Sequence, residues 1–148
     1  MNCKTEDLLK LSEDILPTGR TLRFIARGGS MYPFIRGGEA VHLAGAASSE
    51  LRYADIVLFS DPSGKLFLHR IVKKIERSGG IFITTKGDSS SHSDGEIAAR
   101  NALGKVTAIE KFGVTVSIGK GFGRYVNITY AALLPLSGCL CRALMTIL

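Results

Sequence analysis

The sequence predicts a mainly β domain of coiled antiparallel sheets, with a short helix in front and a helical C-terminal segment. Three observations lead there. Seventeen glycines are spread between short apolar runs in a chain of 148 residues, a punctuation that suits strands and turns better than a helix bundle. Many of those runs alternate with a period of two. Only the two ends, "TEDLLKLSEDIL" and "YVNITYAALLPLSGCLCRALMTIL", depart from that rhythm. The length suits one domain with a genuine core.

The elements follow in chain order. Over residues 5–16, Leu8, Leu11 and Ile15 share a face at helical spacing. Thr5 can cap this helix, Glu6 and Asp7 suit its first turn, and Pro17 with Gly19 ends it. Residues 1–20 thus read as a helical leader. "TLRFIAR" sets Leu22, Phe24 and Ala26 against Arg23, Ile25 and Arg27, a strand broken by "GGS". "AVHLAG" and "ADIVLFS" are two more strands. Asp61-Pro62-Ser63-Gly64 is a strong turn, and "KLFLHRIVKKIE" returns from it as a hairpin partner. After Ser78-Gly79-Gly80 comes "IFITTK", then a polar loop, "GDSSSHSDGE". "ALGKVTAIEKFG" and "VTVSIG" close a β domain spanning residues 21–119.

Residues 120–148 form an apolar segment. A membrane helix needs about 20 apolar residues, and this segment holds Asn127, Pro135, Gly138 and Arg142. Packing on the domain or on a partner is the first reading, and contact with a membrane surface through residues 125–148 is the second.

Composition narrows the function classes. The net charge is +6, but the cations are scattered. With no helix-turn-helix, zinc spacing or aromatic platform, nucleic-acid binding is not expected. Cys3, Cys139 and Cys141 are neither a disulfide framework nor a metal set, and free thiols fit a reducing compartment. "MNCKTEDLLK" has acids where a secretory leader carries a basic region. The expected location is cytoplasmic, with any membrane contact on the inner face, where Lys120 and Arg124 would lie. Nothing in the sequence implies a metal or organic cofactor. A homo-oligomer is compatible with it.

Three residue types needed for serine hydrolysis occur in separate places. Ser30 sits in a glycine turn, His69 on a strand, and Asp88 and Asp94 in a loop after another strand. A serine hydroxyl is a poor nucleophile until a base lies in hydrogen-bond reach, and the base works better when a third group orients it. Gly28 and Gly29 let the backbone turn closely around Ser30, so that amide N–H groups can face an oxyanion. Each piece also has a plain reading: a turn hydroxyl, a half-buried strand histidine, solvated loop acids. Periodicity places Phe67, His69 and Ile71 on one face, which suits core or cleft.

Order and local context add to this. "GGSMYPFIRGGEAV", "ADIVLF", "LHRIV", "TTKGDSSSHSD" and "ALGKV", in that order between Arg23 and Ile109, resemble the boxes of the type I signal peptidase superfamily, which shares its fold with the self-cleaving LexA-like repressors. Where common bacterial members place a lysine base, this chain has His69, which resembles the Ser-His branch. The resemblance implies Ser30 as nucleophile, His69 as general base and Asp94 as the group that orients it. Asp88 ties its own loop through backbone amides, with the roles of the two acids exchangeable. It further implies Gly29, Met31 and Pro33 at the substrate or oxyanion side. The implied function is a serine endopeptidase that cleaves a precursor peptide after small residues. The alternative is a non-catalytic β-module that binds a peptide or partner.

The chain departs from that pattern in three places. A polar leader stands where the familiar enzymes have an anchor. Gly28 stands where a serine hydroxyl often assists the oxyanion, and losing one such donor costs about 3–4 kcal/mol of transition-state stabilisation. Gly38-Glu39 replaces the usual Gly-Asp. Self-cleavage is not expected, because the 29 residues ahead of Ser30 show neither a cleavable segment nor a DNA-binding domain.

Overall fold

The computed structural model describes residues 5–145, with side chains as far as Leu134. Cys3, Cys139 and Cys141, expected as packed thiols, lie outside the described side chains. The chain is mainly β: a curled antiparallel sheet with a short N-terminal helix and a C-terminal helix, as the sequence predicts.

Helix α1 (Thr5–Ile15) runs into a single 3-10 turn at Leu16–Thr18, closed by Gly19 at φ +79°. Its inward row is Leu8, Ser12 and Leu16, whereas Leu11 is 40% exposed. Leu8 and Ile15 of the expected face are half-buried, and Ser12 takes the inward place expected for Leu11. Ser12 occupies the buried place because its hydroxyl donates to the Leu8 carbonyl at 2.7 Å, so its burial leaves no polar group unpaired. Leu16 then enters the main core, which makes the leader part of the domain rather than an appendage.

The strands are β1 (Thr21–Ile25), β2 (Ala40–Ala44), β3 (Ile56–Ser60), β4 (Leu66–Arg77), β5 (Gly80–Lys86), β6 (Glu96–Ala98), β7 (Ala102–Lys111) and β8 (Val114–Ser117). They pair in the order β1-β2-β7-β3-β4-β5-β6, with β8 also on β7, and every pairing is antiparallel. Strand β6 takes the last residue of the expected loop, Glu96, and the two after it, Ile97 and Ala98. It is three residues long, too short for its alternation to register, and it forms because Phe82, Ile83 and Thr84 of β5 present a free edge.

Strand β3 shows how the curl is built. Ile56 and Leu58 enter one core with Val41, Leu43, Val106 and Ile109. Val57 and Phe59 enter a second with Leu51, Ile71 and Ile83. Successive strand residues face opposite sides, so the unbroken apolar run "IVLF" means burial on both faces. Strand β4 divides likewise: Leu66 and Leu68 pack on the first core, Phe67 and Ile71 in the second.

On the β1-β2-β7 surface, Arg23 donates twice to the Glu110 carboxylate at 2.7 Å, and His42 Nε2 lies 2.8 Å from it. The Arg23 hydrogen bond first, then that of His42, pulls the Glu110 pKa from 4.5 down to about 2. A carboxylate with a depressed folded-state pKa adds stability above its unfolded pKa and loses it as pH falls through the folded one. Glu110→Gln is therefore expected to flatten the rise of melting temperature between pH 2 and 4.5. A rise as steep as that of the wild type would show that the trio contributes nothing.

Helix α2 (Gly121–Met145) packs its first turns on the domain. Arg124 pairs with Asp55 and donates to the Tyr53 carbonyl at 2.8 Å. Asn127, Ala131 and Leu134 are buried. Among the described residues, no helix is long and apolar enough to cross a membrane.

Candidate active site

His69 sits at the rim of the second core, ringed by Phe59 and Phe67 at centroid distances of 6.1 and 5.6 Å. Its side chain is 7% exposed. Strand pairing fixes it opposite Val57. Nδ1 lies 2.6 Å from Asp94 Oδ2. A carboxylate only accepts, so Nδ1 carries the proton and Nε2 is left as the acceptor.

Asp94 is held in turn. Thr85 Oγ1 donates to the same oxygen at 2.8 Å, and the Asp94 amide donates to the Thr85 carbonyl at 2.8 Å. Thr85 is fully buried and pairs with Ile71 across the β4–β5 ladder. The acid therefore rests on the sheet, although it belongs to a loop.

Ser30 is carried by a tight turn. The Tyr32 amide donates to the Gly29 carbonyl at 3.1 Å, and the Ile35 amide to the Met31 carbonyl at 2.9 Å. Gly28 has φ +79°, a conformation that favours glycine. A Cβ on Gly37 would meet the Gly28 carbonyl at 2.9 Å. The backbone thus gives its own reason for glycine at the place where the resemblance has a serine. Glu39 closes the loop by accepting from the Arg36 amide at 2.9 Å and from Lys111 at 2.7 Å.

The 87–94 loop straps this turn to the base. The Ser89 amide donates to the Ser30 carbonyl at 3.0 Å, and Ser89 Oγ donates to the Gly29 carbonyl at 2.9 Å. Gly87 stands at the junction. A Cβ there would lie 2.8 Å from the Ser30 carbonyl and 3.1 Å from His69 Nε2. The free imidazole nitrogen thus faces the place where the serine turn and the loop meet.

Ser30, His69 and Asp94 line one cleft of about 600 Å³, together with Gly28, Gly29 and Ser90. Phe24, Ala26, Leu66 and Leu68 give it apolar lining, Arg27 and Lys65 line it as well, and Thr5 and Leu8 come from α1. A larger cavity of about 830 Å³ shares Phe67 and Asp94 with it.

Other expected site residues lie differently. Asp88 does not tie its loop through backbone amides. Its carboxylate takes both Nε and Nη2 of Arg70, at 2.8 and 2.7 Å, and both side chains are wholly buried. Of the two acids, Asp94 meets His69 and Asp88 does not. Met31 borders the cleft, but its side chain is buried in the first core, so it anchors the turn. Pro33, joined to Tyr32 by a cis peptide bond, is exposed and outside the cleft lining.

Several supporting residues escaped the sequence reading: Arg70, Thr85, Gly87, Ser89 and Asn127. Arg70 had a legible signal. It extends the apolar row Leu66–Leu68 on a buried strand face, where a charge must find a partner. Asn127 was legible only as an interruption in an apolar run.

No family model matches the chain, and no curated protein matches it.

Proposed function

We propose that the chain is a serine endopeptidase of the signal peptidase type, with Ser30 as nucleophile, His69 as general base and Asp94 as its orienting acid. The observation that carries this reading is the shared cleft, in which a buried imidazole bonded to Asp94 turns its free nitrogen toward the serine turn. The three side chains come from a span of 65 residues, 30–94, and a binding module has no chemical need to bring them together.

The chemistry is acyl transfer. His69 Nε2 takes the Ser30 proton as the hydroxyl attacks a peptide carbonyl, and the developing imidazolium is stabilised by Asp94. The backbone N–H at Ser30 is the oxyanion donor. The tetrahedral species collapses, the C–N bond breaks, and His69 protonates the leaving amine. Water, deprotonated by the same nitrogen, then frees the acyl group and restores Ser30. An extended peptide between the β1 and β4 walls supplies the alignment, with small residues before the cut.

New protein N-termini should be compared by mass spectrometry in cells carrying the wild type or Ser30→Ala. Fragments that vanish with Ser30→Ala identify the substrate and its cut site. Labelling of the purified chain at Ser30 by a fluorophosphonate, abolished in His69→Ala, is expected beside it. Identical N-termini together with an unreactive Ser30 would shift the reading to the peptide-binding module.

A further inference from the structure

We propose that the outward face of α2 lies on an anionic lipid surface, with the helix resting on the membrane rather than crossing it. The helix has two faces. Residues 124, 127, 131 and 134 point inward, three and four apart. Opposite them run Phe122, Tyr125, Val126, Thr129, Ala132 and Leu133, at the same spacing and all exposed. Phe122 is 85% exposed and Tyr125 76%. An outward row of this kind is the reverse of what water selects on a surface helix.

The inner face explains why the helix does not cross. Arg124 is tied to Asp55, and the Asn127 side chain donates to the Ala54 carbonyl at 3.0 Å. Insertion upright would tear both from their partners and carry them into hydrocarbon. Held flat by these two anchors, α2 presents its aromatic row to whatever the domain faces.

Charge identifies the occupant. All thirteen acids of the chain precede residue 111, whereas Lys111, Lys120, Arg124 and Arg142 follow Glu110. No acid lies in this quarter of the chain; Lys111 is paired with Glu39 and Arg124 with Asp55, whereas Lys120, just ahead of the aromatic row, is exposed. Aromatic side chains on an apolar face, with an exposed lysine beside them and no acid among them, fit the headgroup boundary of an anionic bilayer. A protein surface would need to be acidic and apolar together. A second copy of this face brings no acid for Lys120 to meet.

The test is flotation of the full chain with vesicles of phosphatidylcholine containing about one third phosphatidylglycerol, against pure phosphatidylcholine. Binding to the anionic vesicles, weakened by salt, is expected. The double variant Phe122→Ser/Tyr125→Ser is expected to reduce it by on the order of tenfold or more, and its circular dichroism should match the wild type because neither side chain packs on the domain. Failure of the wild type to float, or equal flotation of the variant, overturns the proposal. So does a concentration-dependent dimer that the variant dissolves, because a second copy then covers the face. The readout is lipid binding alone, so it stands or falls separately from the peptidase reading.

Discussion

Asp94→Asn is expected to slow fluorophosphonate labelling of Ser30 by about 10³-fold or more while leaving the fold intact. In the proposed mechanism the carboxylate has two roles toward His69. It keeps the proton on Nδ1, so that Nε2 can accept, and its charge stabilises the imidazolium formed when Ser30 is deprotonated. An asparagine that turns its NH₂ toward His69 destroys the first, because Nδ1 must then accept. One that turns its oxygen there keeps the tautomer and the Thr85 bond but still loses the charge. Two unit charges about 4 Å apart at an effective dielectric near 20 interact by about 4 kcal/mol, which is close to a thousandfold in rate. The wrong tautomer adds to this, as loss of the acid does in serine triads generally. Labelling within tenfold of the wild type, in a variant of unchanged melting temperature, would remove Asp94 from the site. Thr85→Val is the graded control. It deletes one hydrogen bond to Asp94, worth about 1 kcal/mol, so its effect should stay below tenfold.

The parts of this molecule that were legible in the sequence are those written locally. The alternation of "TLRFI" and the "DPSG" turn each fix an element from neighbours a few residues away. The run "IVLF" fixed a strand but not its place between two cores, which depends on which strands come to lie on each side. Leu11 was misjudged because apolarity was counted and hydrogen bonding was not: Ser12 can be buried only because Leu8 offers it a carbonyl. Ser30, His69 and Asp94 were legible as residue types in order. Asp94 rather than Asp88 was placed at His69 by the resemblance alone; the contact itself follows from β5 and the loop after it. The role of Asn127 was out of reach, since its partners Arg70 and Ala54 are 57 and 73 residues away.

Asp88→Ala is expected to destabilise the fold by about 3–5 kcal/mol, a fall in melting temperature of about 10 °C. It leaves the Arg70 guanidinium buried with no counter-charge. Arg70 keeps the ring faces of Phe34 and Tyr130, at 4.6 and 5.3 Å from its Cζ, and its bonds to Asn127 and the Ala54 carbonyl. None of these is an anion. Ala54 adds to the strain, because it is held at φ +72° and its carbonyl depends on Arg70 and Asn127. The double variant Arg70→Met/Asp88→Leu separates support from stability. Removing both charges together is often neutral, so much of the lost melting temperature should return. Labelling of Ser30 should not return with it. Asp88 sits between Gly87, which touches the serine turn and His69, and Ser89, which bonds the Ser30 carbonyl. Without the Arg70 clasp, that strap loses its side-chain anchor beside Gly87 and is held to the sheet only at its far end, by Asp94 and Thr85. A double variant that recovers stability and remains slow marks Arg70 and Asp88 as positioning residues. One that recovers both would leave the pair with a purely structural role.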